Sequence, residues 1–465
     1  MRPSVLALAV ALAACGPKVL WTGHTADRRA QVDVLEHNGA TFVVVDGHRR
    51  AGYRGIAVRS LQLAGPHIAY AAQVGPHWKV VVDERHDRVP GPPFDSIGEI
   101  VLADTGRVAY AAERAGRWHV VVDGVAGPAC DAILARTLRI ENGRVLYGAQ
   151  RAGRDHLVVD GAFGPAFDGI GQIVTTKDHV AYVGRLGTTV RAIVDGVAHP
   201  TWSGITKLTL TTTTAYTAYD GERWHVVVGA RPIAAAMSIH RLAQRADGAH
   251  VAWIGVTGAG RALYVDTAPV TLTPSARSDA FAFRPSPAAE LGLAFVERTE
   301  GGEHVVVDTV AGPTFDEVRA PIWSETGALA YAARRGPVWF VVHAGLEHGH
   351  ATEISDPVFA ADGRLAYVRR TARSSSRSET ARITTVVVDG REFPFDLAFE
   401  DTLVLGPRGT WAIAAGDVAR RTIFISINGT RRIDVPSREI YATALNSTTT
   451  DQLRIWTQRE LARTR

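Results

Sequence analysis

Val43-Val44-Val45-Asp46 is the first copy of an apolar triplet followed by an acid, and this pattern decides the fold. The pattern returns with a period of roughly 38 residues, which is typical of a repeat architecture. Close copies end at Asp83, Asp123, Asp160, Asp308 and Asp389, and degraded copies end at Asp195, Gly229, Asp266, His343 and Asn428. Together these copies predict about eleven repeat units.

Residues 99–133 show what one repeat is. Segments 99–103, 107–112, 118–122 and 129–133 are β-prone, and turn residues separate them. Four short strands in a meander predict a β-propeller blade. No apolar pattern at helical spacing is long enough to compete. We therefore predict an all-β β-propeller of about eleven four-stranded units, as one large or open ring or as two packed rings.

Some predicted strands are rich in alanine, such as Ala109-Tyr110-Ala111-Ala112 and Ala330-Tyr331-Ala332-Ala333. These strands place small side chains on one face and the aromatic ring of a tyrosine on the other. Because blades converge at the propeller axis, we predict that this strand is the innermost one. The Val-rich strand lacks alternation, which indicates burial on both faces.

The first residues are typical of a targeting signal. Arg2 precedes a short apolar run, 5–12, which is too short to span a bilayer. Leu12-Ala13-Ala14-Cys15 then resembles the lipobox of bacterial lipoproteins. That resemblance implies cleavage before Cys15 and diacylation of its thiol, and Gly16 favours the outer membrane if the cell is Gram-negative. An ordinary or uncleaved secretory signal is the alternative.

A second resemblance concerns the repeat itself. Asp362-Gly363-Arg364-Leu365-Ala366-Tyr367 resembles the turn-and-strand motif of TolB-type and WD-repeat-like bacterial propellers, with echoes at 106–110 and Ser286-Pro287. It covers most of the chain after about residue 32, but the Trp-Asp dipeptide of WD repeats is absent. The resemblance implies binding of proteins or peptides more often than chemistry, and the fold alone assigns no function.

These observations predict four segments. They are a signal peptide, 1–14; a lipidated cysteine and tether, 15–31; the repeat array, 32–456; and a basic tail, 457–465. An internal boundary near 267–290 is also predicted, because several prolines break the repeat there.

Composition argues against several functions. The chain has 51 basic and 47 acidic residues, a diffuse excess that does not indicate nucleic-acid binding. No nucleophile elbow, phosphate-binding loop or Ser-x-x-Lys set is present. We predict no catalytic residues and no cofactor.

Several groups of residues suggest local chemistry. Cys130 occupies the repeat position of Phe94, Phe167, Phe315 and Phe395, which predicts a buried structural thiol. Paired acids recur eight residues apart at Asp123 and Asp131, Asp160 and Asp168, and Asp308 and Asp316. Turn capping is favoured for them over calcium binding, because each unit offers only two carboxylates.

Histidines form two sets. One set shares a repeat position, so its members are expected on separate blades: His119, His156, His225 and His304. The other set, His343, His348 and His350, is a weak candidate metal site beside Glu347. A solvated loop is the favoured interpretation.

Arginines recur in one turn of each repeat, and we predict that they form a partner-binding face: Arg114, Arg117, Arg151, Arg154, Arg334, Arg335 and Arg377. The opposite turns carry acids, so each blade is predicted to be basic at one end and acidic at the other. Such a field orients a protein toward an anionic partner, although copied solvating charges produce the same pattern. At hairpin tips, these arginines are not expected to support the fold.

We therefore predict a lipid-anchored propeller of the bacterial cell envelope, in the outer membrane, that acts as a non-catalytic protein-interaction or ligand-binding module. Its partner is an envelope protein or an anionic envelope component, and the lipid provides contact with the membrane. An envelope hydrolase or lyase with a polar site at the propeller axis is the alternative, and a structural filler is a third interpretation.

Overall fold

The computed structural model describes residues 17–24, 30–83, 92–272, 278–285, 291–373, 381–406, 409–417, 422–434, 454 and 457–458. The predicted signal peptide, Cys15, Arg377 and most of the basic tail lie outside the described residues. The regular structure is β-sheet, with short 3-10 helices at Val58–Ser60 and Glu400–Thr402, and the described residues 454 and 457–458 are α-helical. In the described part of the chain, no helix is long and apolar enough to cross a bilayer.

The described strands form eleven sheets in chain order, here sheets 1 to 11. Sheets 1 to 3 contain β1 (Lys18–His24), β2 (Gln31–His37), β3 (Ala40–Val45) and β4 (His48–Tyr53); β5 (Gly55–Ile56), β6 (Gln62–Ala64), β7 (His67–Val74) and β8 (His77–Val82); and β9 (Ser96–Leu102), β10 (Val108–Arg114), β11 (Arg117–Val122) and β12 (Val125–Ala126). Sheet 4 contains β13 (Ala132–Ile133), β14 (Arg139–Glu141), β15 (Arg144–Arg151), β16 (Arg154–Val159) and β17 (Ala162–Phe163).

Sheets 5 to 8 have four strands each. They contain β18 (Gly169–Thr175), β19 (Val180–Leu186), β20 (Thr189–Val194) and β21 (Val197–Trp202); β22 (Gly204–Leu210), β23 (Thr214–Tyr219), β24 (Trp224–Val228) and β25 (Arg231–Ala236); β26 (Ser238–Gln244), β27 (Val251–Thr257), β28 (Gly260–Val265) and β29 (Ala268–Pro269); and β30 (Phe281–Phe283), β31 (Leu293–Thr299), β32 (Gly302–Val307) and β33 (Val310–Ala311).

Sheets 9 to 11, like sheets 2 and 4, have a first strand in two pieces that pair with the same neighbour. They contain β34 (Glu317–Val318), β35 (Ile322–Trp323), β36 (Leu329–Arg335), β37 (Val338–His343) and β38 (Leu346–Ala351); β39 (Glu353–Ile354), β40 (Val358–Phe359), β41 (Leu365–Arg373), β42 (Ala381–Val388) and β43 (Arg391–Phe395); and β44 (Leu397–Ala398), β45 (Val404–Leu405), β46 (Trp411–Asp417), β47 (Thr422–Ile427) and β48 (Arg431–Asp434).

The all-β fold of four-stranded propeller blades is confirmed. Each predicted repeat supplies the third strand of one sheet, as Val120–Val122 do in β11. Sheet 3 shows the meander clearly, because β9, β10, β11 and β12 pair in order and antiparallel. The array begins inside the predicted tether 15–31, since segment 18–24 forms β1 and pairs with β2.

The alanine-rich strand is the second strand of its sheet, so the prediction that it is innermost is wrong. In sheet 3 it is β10, which pairs with β9 on one side and β11 on the other, so it is not an edge strand. Its small residues serve the packing of sheet on sheet. Tyr110 and Ala112 of β10 share a core cluster with Ala69 and Ala71 of β7. The strand face that carries the tyrosine ring thus packs on a face of small alanine side chains in the neighbouring sheet.

The same arrangement recurs where β23 packs on β19, through Tyr216 and Ala218 against Ala181 and Val183. Burying one such ring contributes about 2–3 kcal/mol, so the repeated tyrosine supplies much of each local core. This packing explains why the alternation of large and small residues is kept from unit to unit.

The chain divides into two compact units. The first unit comprises residues within 1–140, 144–152 and 158–162, and the second comprises those within 141–143, 153–157 and 163–465. Sheets 1 to 3 therefore belong to the first unit and sheets 5 to 11 to the second, while sheet 4 contributes to both. The predicted boundary near 267–290 falls within the second unit, includes residues outside the described part, and stays a prediction.

Candidate functional site

The two ends of each sheet differ in their turns. The hairpin end carries the turn between the second and third strands, at Ala115 and Gly116 in sheet 3, together with the connection to the next sheet. The triplet end carries the turn that follows the apolar triplet, at Asp123 and Gly124. The predicted arginine face corresponds to the hairpin ends, whereas the repeated acids lie at both the hairpin ends and the triplet ends.

At the triplet end the repeated aspartate locks its own sheet. Asp123 and Gly124 have φ angles of 49° and 87°, as a tight hairpin turn of type I′ requires. The Asp123 amide donates to the Val108 carbonyl at 2.9 Å, and the Val108 amide donates back to Asp123 Oδ1 at 2.9 Å. The predicted turn-capping role of Asp123 is therefore confirmed.

Seven other sheets repeat this side-chain bond. The acceptors and the residues whose amides donate are Asp46 and Gln31, Asp83 and Ile68, Asp160 and Val145, Asp195 and Val180, Asp266 and Val251, Asp308 and Leu293, and Asn428 and Trp411. Asn428 shows that an amide oxygen replaces the carboxylate in this position.

The second carboxylate oxygen often holds a basic side chain that lies sixteen residues earlier in the chain. Arg107 Nε lies 3.2 Å from Asp123 Oδ2, and Arg144 Nε lies 3.1 Å from Asp160 Oδ2. In other sheets a histidine takes the same place, such as His179 beside Asp195. These bonds occupy oxygens that a calcium ion would need.

We predict that Asp123→Ala lowers the free energy of unfolding by about 2 kcal/mol, because the buried Val108 amide loses a charged acceptor and alanine disfavours positive φ. Asp123→Asn is the matched control, since it keeps the oxygen and tolerates this conformation. Its loss is expected to be less than half as large. Urea unfolding of both variants measures the difference, and equal losses would contradict this account of the turn.

The hairpin end carries a second aspartate, which joins consecutive sheets. Asp131 Oδ1 accepts a bond of 2.6 Å from Arg117 Nη1 of sheet 3, and its Oδ2 accepts one of 2.7 Å from the Ala152 amide in the hairpin of sheet 4. Asp168 repeats this with Arg154 and the Gly187 amide. Each of these carboxylates therefore fixes an arginine and caps a hairpin.

The other predicted arginines also make contacts. Arg114 Nη2 donates to the Pro93 carbonyl at 2.7 Å, and its guanidinium lies 4.5 Å from the centre of the Phe94 ring. Arg334 pairs with Glu317 at 3.2 Å, and Arg335 pairs with Glu347 at 3.1 Å. These side chains therefore have local partners, and the expectation that the fold does not depend on them stays a prediction, since exposed ion pairs contribute little to stability.

The predicted segregation of charge is wrong for these sheets. The hairpin end holds Asp95, Asp131 and Asp168 beside its arginines, and the triplet end holds Arg107 and Arg144 beside its acids. Sequence alone missed this because the partner of each charge comes from a different strand. The arginines nonetheless stay accessible, with 47% of the Arg117 side chain and 48% of the Arg154 side chain exposed.

Cys130 is buried, as predicted, with 0% of the residue exposed. Its thiol donates to the Trp118 carbonyl at 3.3 Å, and burial raises its pKa to about 11. In other sheets the same position holds a phenylalanine edge-on to the repeated tyrosine, as Phe94 lies on Tyr110 with ring centres 6.2 Å apart. Cys130 is thus a protonated packing residue in a position shaped for a ring.

The histidines of the shared repeat position lie on separate sheets, as predicted. His119 and His156 bond the carbonyls of Gly127 and Gly164, at 2.9 Å and 2.8 Å. His225 and His304 pair with carboxylates of their own sheets, at 2.6 Å from Asp220 and 2.8 Å from Glu297. Each imidazole therefore has a local structural contact.

The weak metal candidates lie in sheet 9. The rings of His343 and His348 have centres 6.2 Å apart, while His350 lies 3.6 Å from Glu347. Burial, and then the nearby His348, lower the pKa of His343. Among the described residues, no group of three or more His, Cys, Asp or Glu side chains is placed to hold a metal ion.

Comparisons with known proteins give no family for this chain. No family model and no curated protein matches it. Among solved structures, it is similar to the β-propeller domain of the Trilobed protease from Pyrococcus furiosus, with 8% identity, a TM-score of 0.24, and coverage of 54% of this chain and 95% of that one.

Two further similarities are of the same kind. Hsv2 from Kluyvelomyces marxianus has 11% identity and a TM-score of 0.23, covering 77% of this chain and 94% of that one. A eukaryotic initiation factor has 11% identity and a TM-score of 0.38, covering 70% of this chain and 96% of that one. With scores this low, the fold assignment rests on the sheets of the chain itself.

Proposed function

We propose that this chain is a lipid-anchored, non-catalytic binding module of the bacterial cell envelope, whose hairpin ends bind an anionic partner. Propeller folds commonly serve as protein-interaction modules, although the fold does not name a partner. The lipobox resemblance at 12–15 supports the anchor, and the TolB-like motif at 362–367 supports the envelope assignment.

The observation that carries the binding surface is the arginine held by an aspartate at a repeated position. In sheets 3 and 4, Asp131 fixes Arg117 and also caps the hairpin that follows Arg151. A guanidinium has five N–H donors, and this contact uses one, so others stay available to a partner. Holding the side chain in place lowers the entropy lost on binding.

The experiment compares two double variants of the same two sheets. Arg117→Gln with Arg151→Gln removes two charges from the hairpin ends, whereas Arg107→Gln with Arg144→Gln removes two from the triplet ends. Arg117, Arg107 and Arg144 all pair with aspartate, so the variants are also similar in the bonds they lose. Partners are recovered by pull-down from crosslinked envelopes.

We expect recovery to fall by roughly tenfold or more for the hairpin-end variant alone, because a hydrogen bond to a charged group contributes about 1.5–3 kcal/mol. Raising the salt concentration should reproduce this loss for the wild type, since exposed charges are screened beyond about 8 Å at physiological ionic strength. Equal recovery by the two double variants would count against this binding surface.

A further inference from the structure

The first strands of sheets 6 and 7 bring two basic side chains, Lys207 and Arg241, close together. Both strands contain a β-bulge, marked by register shifts between Thr206 and Thr209 and between Ile239 and Arg241. Lys207, inside the first bulge, has φ of 53°, a left-handed conformation that is uncommon for a lysine. Bulges commonly re-aim a side chain next to a site.

Polar side chains of these first strands reach from one sheet to the next. The Gln172 amide in sheet 5 bonds both the carbonyl and the amide of Leu208 in sheet 6, at 3.0 Å and 3.2 Å. The Lys207 ammonium in turn donates to the His240 carbonyl in sheet 7. This bond places the ammonium against the backbone of the residue that precedes Arg241.

Arg241 lies over a ring instead of a carboxylate. Its guanidinium carbon is 5.0 Å from the centre of the Phe281 ring, a cation–π contact that holds the side chain in place. Asp279 is the acid whose charge acts on Arg241, and Arg298 already pairs with it at 3.0 Å. Within the described residues, neither Lys207 nor Arg241 has a carboxylate oxygen within 4 Å.

Two other basic side chains of the second unit that reach the next sheet are paired with acids. Arg319 pairs with Asp356 at 3.3 Å, and Arg370 pairs with Glu400 at 3.1 Å, each reaching a first-strand segment of the next sheet. Lys207 and Arg241, in neighbouring sheets, make no such ion pair among the described residues. Burial, followed by the charge of Arg241, lowers the pKa of Lys207. Burial lowers the pKa of Arg241 and outweighs the opposing effect of Asp279.

We propose that Lys207 and Arg241 form a binding site for a phosphate group. A dianion neutralises both charges, whereas a carboxylate neutralises only one. Lysine and arginine are the side chains that proteins commonly use for phosphate oxygens. His240, exposed at the same bulge and 3.2 Å from the Ser238 hydroxyl, offers a further donor. This site is independent of the arginines at the hairpin ends.

The test measures binding of inorganic phosphate to the full chain by calorimetry, in a buffer whose ionic strength is held constant with chloride. Lys207→Asn removes the charge and suits positive φ, and Arg241→Gln removes the second charge. Lys177→Gln, in an exposed turn, is the matched control. Lys207→Arg keeps the charge, and thermal unfolding in chloride checks that every variant is folded.

We expect wild type, Lys177→Gln and Lys207→Arg to bind phosphate, and Lys207→Asn and Arg241→Gln to bind at least about tenfold more weakly. Glucose 6-phosphate provides a second arm. Tighter binding of the sugar phosphate supports a phosphate carried on a larger molecule, and tighter binding of the free ion supports inorganic phosphate. No binding by folded wild type, or equal binding by the folded neutral variants, overturns the site.

Discussion

Replacing Cys130 by aspartate is expected to lower the free energy of unfolding by about 3 kcal/mol or more, the largest stability effect predicted for this chain. The thiol is fully buried and donates to the Trp118 carbonyl, an acceptor that an ionised carboxylate cannot use. An unpaired charge in such a position is strongly destabilising. Urea unfolding measures the loss.

Two controls separate charge from volume. Cys130→Ala leaves only a small cavity and is expected to lower the free energy of unfolding by about 1 kcal/mol or more. Ala126→Asp places the same charge on an exposed residue of β12 and is expected to change it by less than about 0.5 kcal/mol.

Labelling tests the burial of Cys130 directly. The chain has two cysteines, so a Cys15→Ser background leaves Cys130 as the one thiol of the sequence. A maleimide should react slowly in the native state and quickly in urea, because the buried thiol has a pKa raised to about 11 and stays protonated at neutral pH. Rapid native labelling would refute the buried position.

Cys15→Ser is expected to move the protein almost completely from the membrane fraction to the soluble fraction of the export compartment, or to leave it uncleaved. Each buried methylene of an acyl chain contributes about 0.8 kcal/mol to membrane binding, and the substitution removes the thiol to which the chains attach. Cys130→Ala is the matched control and should remain with the membrane. A Cys15→Ser protein that still sediments with membranes after a salt wash would exclude the lipid anchor.

The repeat pattern predicted the strands well because local turn chemistry and β-propensity set them. The triplet Val120-Val121-Val122 lies in β11, and Asp123 lies in the tight turn that aspartate residues favour. The position of the alanine-rich strand was predicted wrongly because small residues are needed where two sheets pack closely, as well as at a propeller axis. The Tyr110 ring packs with Ala69 and Ala71 of the neighbouring sheet. The sequence gives no direct sign of this contact between sheets.

The charged contacts were harder to predict, although a signal was present. Arg107 lies sixteen residues before Asp123, and Arg117 lies fourteen before Asp131, spacings that recur at Arg144 with Asp160 and at Arg154 with Asp168. A basic and an acidic position that recur at a constant spacing along the chain indicate an ion pair. Lys207 gave no such signal, because a β-bulge, visible only in the strand register, sets its position.

Site-specific photocrosslinking tests the central proposal, binding at the hairpin ends, most directly. A photoreactive amino acid at Ala115 marks the hairpin end of β10, and one at Thr105 marks the opposite end of the same strand; both residues are exposed. Crosslinking in intact cells should give partner adducts at Ala115 and few at Thr105. Adducts that are equal at the two positions, or stronger at Thr105, would contradict binding at the hairpin ends.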